Sequence, residues 1–210
     1  PTLGHRTVSL IEQDGLQFKD LDGSGALTPY EDWRLGAAER ARDLVGRLSL
    51  AQKAGLMMHG TLVLDADGRV DLTAMDKMLR EDGVNTYITR MAGDPAAIAD
   101  DNNRLQALLE GVGLGIPMTV STDPRNHFTH DPHATSIGAG AFSQWPETLG
   151  LAAIGDAALV QRFGDIARQE YRAVGIHEAL SPQADLATEP RWGRINGTFG
   201  EDNLLAKSLV

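Results

Sequence analysis

Cysteine is absent from the 210 residues, which excludes disulfides and any chemistry that needs a thiolate. That absence says nothing about compartment, because exported enzymes of this size often have none. No apolar run approaches the roughly 20 residues that span a bilayer, so no membrane partner is expected. Basic residues are the minority: 19 Lys and Arg stand against 29 Asp and Glu. The net charge of −10 argues against a nucleic-acid partner, which needs clustered cations. Nothing at the start resembles a signal peptide. Pro1 in place of Met suggests a trimmed chain, and a periplasmic or secreted origin is favoured over a cytoplasmic one. What is present, 42% hydrophobic and 23% charged residues, is the balance of a folded soluble chain with one sizeable core.

Helical and strand signals alternate along the chain. Leu35, Ala38, Ala41, Leu44, Val45 and Leu48 recur at helical spacing, and Ser49 with Gln52 forms a capping box for a second short helix. A strand-like run around "MMHGTLVL" precedes a helix over "DLTAMDKMLRED" that stops at Gly83. "VNTYITR" reads as the next strand, and Asp94 and Pro95 open a helix to about Glu110. "IPMTVST" is the third strand. A helix resumes near Glu147 with Leu159, Phe163, Ile166 and Ala167 on one face, and "GIHEALSP" is the fourth strand. This is the pattern of βα units around a parallel sheet, an α/β fold, either doubly wound or a (β/α)₈ TIM-barrel-type domain. No glycine-rich phosphate loop follows the first strand. "GVGLG" at 111–115 precedes a strand rather than joining strand to helix, and reads as an ordinary connection. A full barrel takes about 250 residues, and four strands use nearly the whole chain, so only the first half of such a barrel is expected here.

In a barrel, functional groups sit where strands end. Asp123 follows "IPMTVST" directly, although Asp before Pro is also a common turn starter. His127, His130 and His133 have a spacing that suits a loop zinc site, but Pro132 interrupts any helix that would align them, and solvated or sugar-contacting histidines fit as well. In "EPRWGR", Arg191 and Arg194 flank Trp192. Guanidinium groups hold hydroxyls or carboxylates, and an indole offers a flat face to a sugar ring. The structural alternative is an anchor, with one arginine buried in an ion pair to Asp185 or Glu189. Asp123 and Glu189 are also a candidate carboxylate pair.

"DLDGSGALTPYE", residues 20–31, fits an EF-hand loop. Asp20, Asp22, Ser24, the carbonyl of Ala26, Thr28 through water and Glu31 occupy the ligand positions, with Gly25 at the sharp turn. Against this, only one such loop is found and Gly15 interrupts the segment before it. "TPYE" also has its own explanation: Thr28 as N-cap, Pro29 in the first helical turn, and Glu31 closing a capping box.

"SPQADLATEPRWGRINGTFGED" resembles the signature of glycoside hydrolase family 3. The similarity is supported by "YEDWRLGAAERARDLVGRLSLAQKAGLM", "IPMTVSTDP" and "FSQWPETLGLAAIGDAALVQRFGDIARQEYRAVGI", and it runs from about residue 17 to the end. The resemblance implies hydrolysis of terminal non-reducing β-D-glucosyl residues from β-glucosides or β-glucans, with retention. It implies that Asp123 accepts hydrogen bonds from hydroxyls of the sugar in the −1 subsite and that Arg194 binds the same sugar. Two departures matter: Gly197 stands where many members carry a glutamate, and "DPRNHF" replaces the usual sequence, placing Arg125 and His127 near the sugar. Retention needs two carboxyl groups about 5–5.5 Å apart. In the family the nucleophile lies on a later strand and the acid/base in a second domain, so the resemblance implies no catalytic pair in this chain and a need for the remainder of the catalytic domain. It requires no cofactor for chemistry. Residues 1–34 are then an extension bearing a loop whose ligand set suits a structural Ca²⁺, and 35–210 the N-terminal part of the barrel. The rival classes are a calcium-binding module and a non-catalytic carbohydrate-binding protein.

Overall fold

The computed structural model describes residues 3–89, 94–123, 126 and 141–210. The chain divides into two compact units, Pro1–Tyr87 with Asp101–Thr119, and Ile88–Asp100 with Val120–Val210.

The first unit opens with a hairpin of β1 (Leu10–Gln13) and β2 (Leu16–Lys19) in antiparallel register. Its two-residue turn is Asp14-Gly15, with φ of 55° and 70°. These left-handed angles match the twist of the strands, and Asp-Gly supplies them readily. The sequence showed only an interruption at Gly15; the structure corrects this to a hairpin turn. Phe18 is fully buried, and Trp33 stacks on its ring at 5.4 Å.

The helix expected from "TPYE" does not form. Glu31 closes half of the capping box by accepting from the Thr28 amide at 3.0 Å, and a single turn follows. The Asp32 side chain accepts from the Arg34 amide and guanidinium, offering the backbone an alternative to helix propagation.

α1 (Ala37–Arg47) and α2 (Leu50–Leu56) come next, the second with both halves of its Ser49–Gln52 capping box. Of the apolar stripe that predicts α1, Leu48 is buried while Val45 is half exposed. β3 (His59–Thr61) is shorter than its sequence signal. α3 (Leu72–Asp82) starts on the Asp71 side chain and ends at Gly83, whose φ is 65°. Gly55 of α2 permits a close backbone approach: a Cβ there would lie 2.4 Å from the Asp82 carbonyl.

β4 (Thr86–Thr89), α4 (Pro95–Glu110) and β5 (Thr119–Thr122) contribute residues to both units. Within the first unit, the Gln106 amide both donates to and accepts from the Met118 backbone, tying α4 to the approach of β5. Asp101 of α4 is fully buried and receives Arg69 Nε and Nη2 at 2.8 Å each, the Arg104 guanidinium at 3.1 Å and the Val70 amide at 3.2 Å. Burial pushes its carboxyl up, but these donors outweigh it and hold the pKa below the usual range.

In the second unit the single helix expected after Glu147 is two. α5 (Thr148–Ile154) ends at Gly155, φ 69°, and Asp156 caps the start of α6 (Ala157–Ala173). A left-handed glycine followed by an N-cap stops one helix and starts another. β6 (Glu178–Ala179) lies parallel to β5, with Ser121 opposite Glu178. α7 (Asn203–Leu209) closes the chain. Leu151, Val160, Phe199, Ala206 and Leu209 belong to one apolar core cluster of this unit. The order β3-β4-β5-β6 gives an α/β sheet in sequence order. β4 and β5 are buried over three successive residues, as strands covered on both faces are.

Candidate active site

The second unit holds a cavity of about 430 Å³ at the ends of β5 and β6. Ser121 and Thr122 are fully buried at the end of β5, and the chain passes straight from them into Asp123, which faces the cavity. β6 leads into Leu180–Asp185, which forms a second wall, and the segment after it brings Trp192 and Arg194. Residues far apart in sequence, Asp123 and Arg194, therefore line one space. Among the described residues the Arg194 guanidinium is exposed and has no ion pair or hydrogen bond, which leaves its donors available.

Glu147, Asn126 and Asn196 also line the cavity and carry no sequence signal of function. Asn196 Nδ2 donates to Glu147 Oε2 at 2.8 Å, fixing the single 3₁₀ turn at Ile195–Gly197 beside the start of α5. Asn126 is buried. Its Oδ1 accepts from the Tyr171 hydroxyl at 3.1 Å, while its Nδ2 is a buried donor without a partner. Burial pushes the Tyr171 phenol up to about 12, so it stays protonated and able to donate. Phe142 packs on the Tyr171 ring at 4.8 Å.

The other residues singled out from sequence fare differently. Arg191 pairs with Glu189 at 2.8 Å, but the two side chains are 88% and 50% exposed, so the pair is not the buried anchor that sequence allowed. Hydrogen bonding from Arg191 holds the Glu189 carboxyl down at about 2. Glu189 does not line the cavity, so the structure does not bring it together there with Asp123. Gly197 does line it. Arg125, His127, His130 and His133 lie outside the described residues. Asp20, Asp22 and Glu31 converge in the first unit, each offering an oxygen within 4.8 Å of the others.

The cavity's lining mixes acceptors (Asp123, Glu147, Asp185), a cationic donor (Arg194) and the ring of Trp192. Such a set suits a neutral ligand rich in hydroxyl groups, with carboxylates accepting and the guanidinium donating.

Residues 68–210 match the model of the glycosyl hydrolase family 3 N-terminal domain. The chain belongs to glycosyl hydrolase family 3. It is 59% identical over 214 residues to a periplasmic beta-glucosidase/beta-xylosidase of Dickeya chrysanthemi, covering 99% of this chain and 33% of that protein. It is 43% identical over 191 residues to beta-glucosidase C of Emericella nidulans, covering 88% of this chain and 30% of that one. Among solved structures, a family 3 beta-N-acetylglucosaminidase from Paenibacillus superposes with a TM-score of 0.62 at 28% identity, over 77% of this chain and 29% of the other. The chain thus spans about a third of the length of its curated family 3 relatives.

Proposed function

We propose that these residues supply part of the −1 sugar subsite of a retaining family 3 β-glycosidase that removes terminal non-reducing β-D-glucosyl residues from β-glucosides or β-glucans. The observation that carries this reading is the meeting of Asp123 and Arg194 in one cavity at the ends of β5 and β6. A carboxylate accepts from vicinal hydroxyls and a guanidinium donates to the same ring, so the pair orients a sugar without doing chemistry on it. Arg125 and His127 are proposed to adjoin the same sugar. The nucleophile and acid/base lie beyond Val210 in this reading, in the remainder of the catalytic domain, and the βα units described here begin a (β/α)₈ barrel that follows an extension over 1–34. No cofactor enters the chemistry. The names of the relatives support a glucoside substrate, with a xyloside as competitor, and the Dickeya protein's name supports a periplasmic location.

The test is turnover of aryl β-glucoside and β-xyloside by the natural full-length protein and by residues 1–210 alone. Activity is expected only in the full-length protein. Asp123→Asn and Arg194→Ala in that protein are each expected to lower kcat/KM by about 10- to 100-fold, the loss of a charged hydrogen bond to substrate. Turnover by the 210 residues alone would place the catalytic pair among them and overturn the assignment of Asp123 to binding. Glucose binding by an inactive full-length protein would instead identify a carbohydrate-binding protein.

A further inference from the structure

We propose that Asn126 is a further sugar-binding residue: with its side-chain oxygen held by Tyr171, its amide nitrogen donates to one ring hydroxyl of the sugar in the cavity. This rests on the glycosidase reading above and adds to it a neutral donor, which neither Asp123 nor Arg194 supplies.

Asn126 is 8% exposed and belongs to the cavity wall. Both of its acceptors are taken. Oδ1 receives the Tyr171 hydroxyl at 3.1 Å, and the main-chain carbonyl receives the Trp145 amide. Tyr171 lies on α6, buried against Phe142, so the bond to it fixes which way the side-chain amide turns. What remains is Nδ2, a buried nitrogen with two N–H groups to give and no partner. Folded proteins leave few such donors unpaired, because burying one without an acceptor is costly. A hydroxyl-bearing ligand in the cavity supplies the missing acceptor.

The rest of the lining shows why a donor is wanted there. Asp123, Glu147 and Asp185 only accept when ionised, and Arg194 is the one cation among the described residues of the wall. The Asn196 amide is already spent on Glu147. A sugar hydroxyl gives up one hydrogen and still has lone pairs to fill. Carboxylates take the hydrogens, and the lone pairs are left for Arg194 and Asn126. A side-chain amide fills them without placing another charge among the acids.

The experiment uses the natural full-length protein and a set of aryl β-glucosides: the intact sugar, and versions that each lack one ring hydroxyl. Asn126→Ala is expected to lower kcat/KM for the intact sugar by about 10-fold, the worth of a neutral hydrogen bond. One deoxy sugar should be spared, turned over as well by the variant as by the unsubstituted protein, because the bond it lacks is the one the variant lacks. Asn126→Asp keeps an acceptor for Tyr171 and removes only the donor, and it should spare the same deoxy sugar. Each comparison is a ratio between two substrates on one protein, so a smaller folded fraction does not change it. A loss shared equally by the intact and every deoxy sugar would show that Asn126 merely supports Tyr171, and would overturn the proposal. Unchanged turnover of the intact sugar by both variants would overturn it too. Inactivity of the unsubstituted protein on the intact glucoside would be a different failure, sinking the glucosidase reading and this proposal with it.

Discussion

Asp101 shows how much one side chain can hold. It is a fully buried carboxylate whose charge is matched by two partly exposed arginines, Arg69 and Arg104. Removing a partner from a buried ion is costly, because the ion left behind is neither hydrated nor paired. Arg69→Ala should therefore destabilise the protein by about 3 kcal/mol, checked by urea unfolding, with Arg69→Lys recovering only part because it lacks the two-pronged fork. None of this was legible in the sequence: "ADDNNR" puts two acids side by side, and only the packing of α4 decides that Asp101 faces inward while its neighbour Asp100 is exposed. Asp123 and Arg194 were legible, because each lies in a distinctive string of residues. Glu147 and Asn126 were not, since an acid at a helix start and an asparagine in a polar loop each have an ordinary local explanation.

Elements whose ends are set by local chemistry agree with the sequence reading. Ser49 with Gln52, Asp94 and Gly83 all cap where expected, because a cap depends on side chains within a few residues. The failures at this scale arise where two local rules compete. At 28–34 half of the capping box formed, yet Asp32 and Arg34 drew the next backbone groups to themselves. At 10–19 a glycine read as an interruption was the corner of a hairpin. The contact between α2 and α3 is invisible in sequence, because Gly55 looks like any helical glycine. A methyl group at that position would meet the backbone of Asp82 and Gly83 within 2.7 Å. Backbone does not rotate away as a side chain would, so Gly55→Ala is expected to cost at least 2 kcal/mol despite its better helix propensity. A lower thermal midpoint checks this, and an unchanged midpoint would show that α2 moves freely against α3.

For the whole molecule, the N-terminal segment is tied to the end of α4 chiefly through one residue. Glu110 accepts from the Arg6 and Thr7 amides at 2.6 and 2.7 Å and from Lys19 Nζ at 2.6 Å. Burial raises its pKa, but Lys19 and the two amides more than reverse this and hold it at about 2. A carboxyl depressed below its unfolded value of 4.5 contributes stability that is complete above that pH and is lost as pH falls through about 2. Glu110→Gln should thus be less stable than the parent protein by on the order of 2 kcal/mol at pH 6. The difference should shrink steadily between pH 4.5 and 2, as melting curves across that range would report. Alternation of strands and helices was legible at this scale, since periodicity survives translation into structure. The docking of the N-terminal segment was not, because it joins residues that no local pattern connects.

That docking also sets an order of events during synthesis. Lys19 and Glu110 are 91 residues apart, so the hairpin leaves the ribosome long before its anchor exists. At about 5–20 residues per second, the wait is roughly 5–20 s. Through that interval Phe18 has Trp33 to stack on but Lys19 has no Glu110 to pair with, and the hairpin cannot settle in place until α4 has been made.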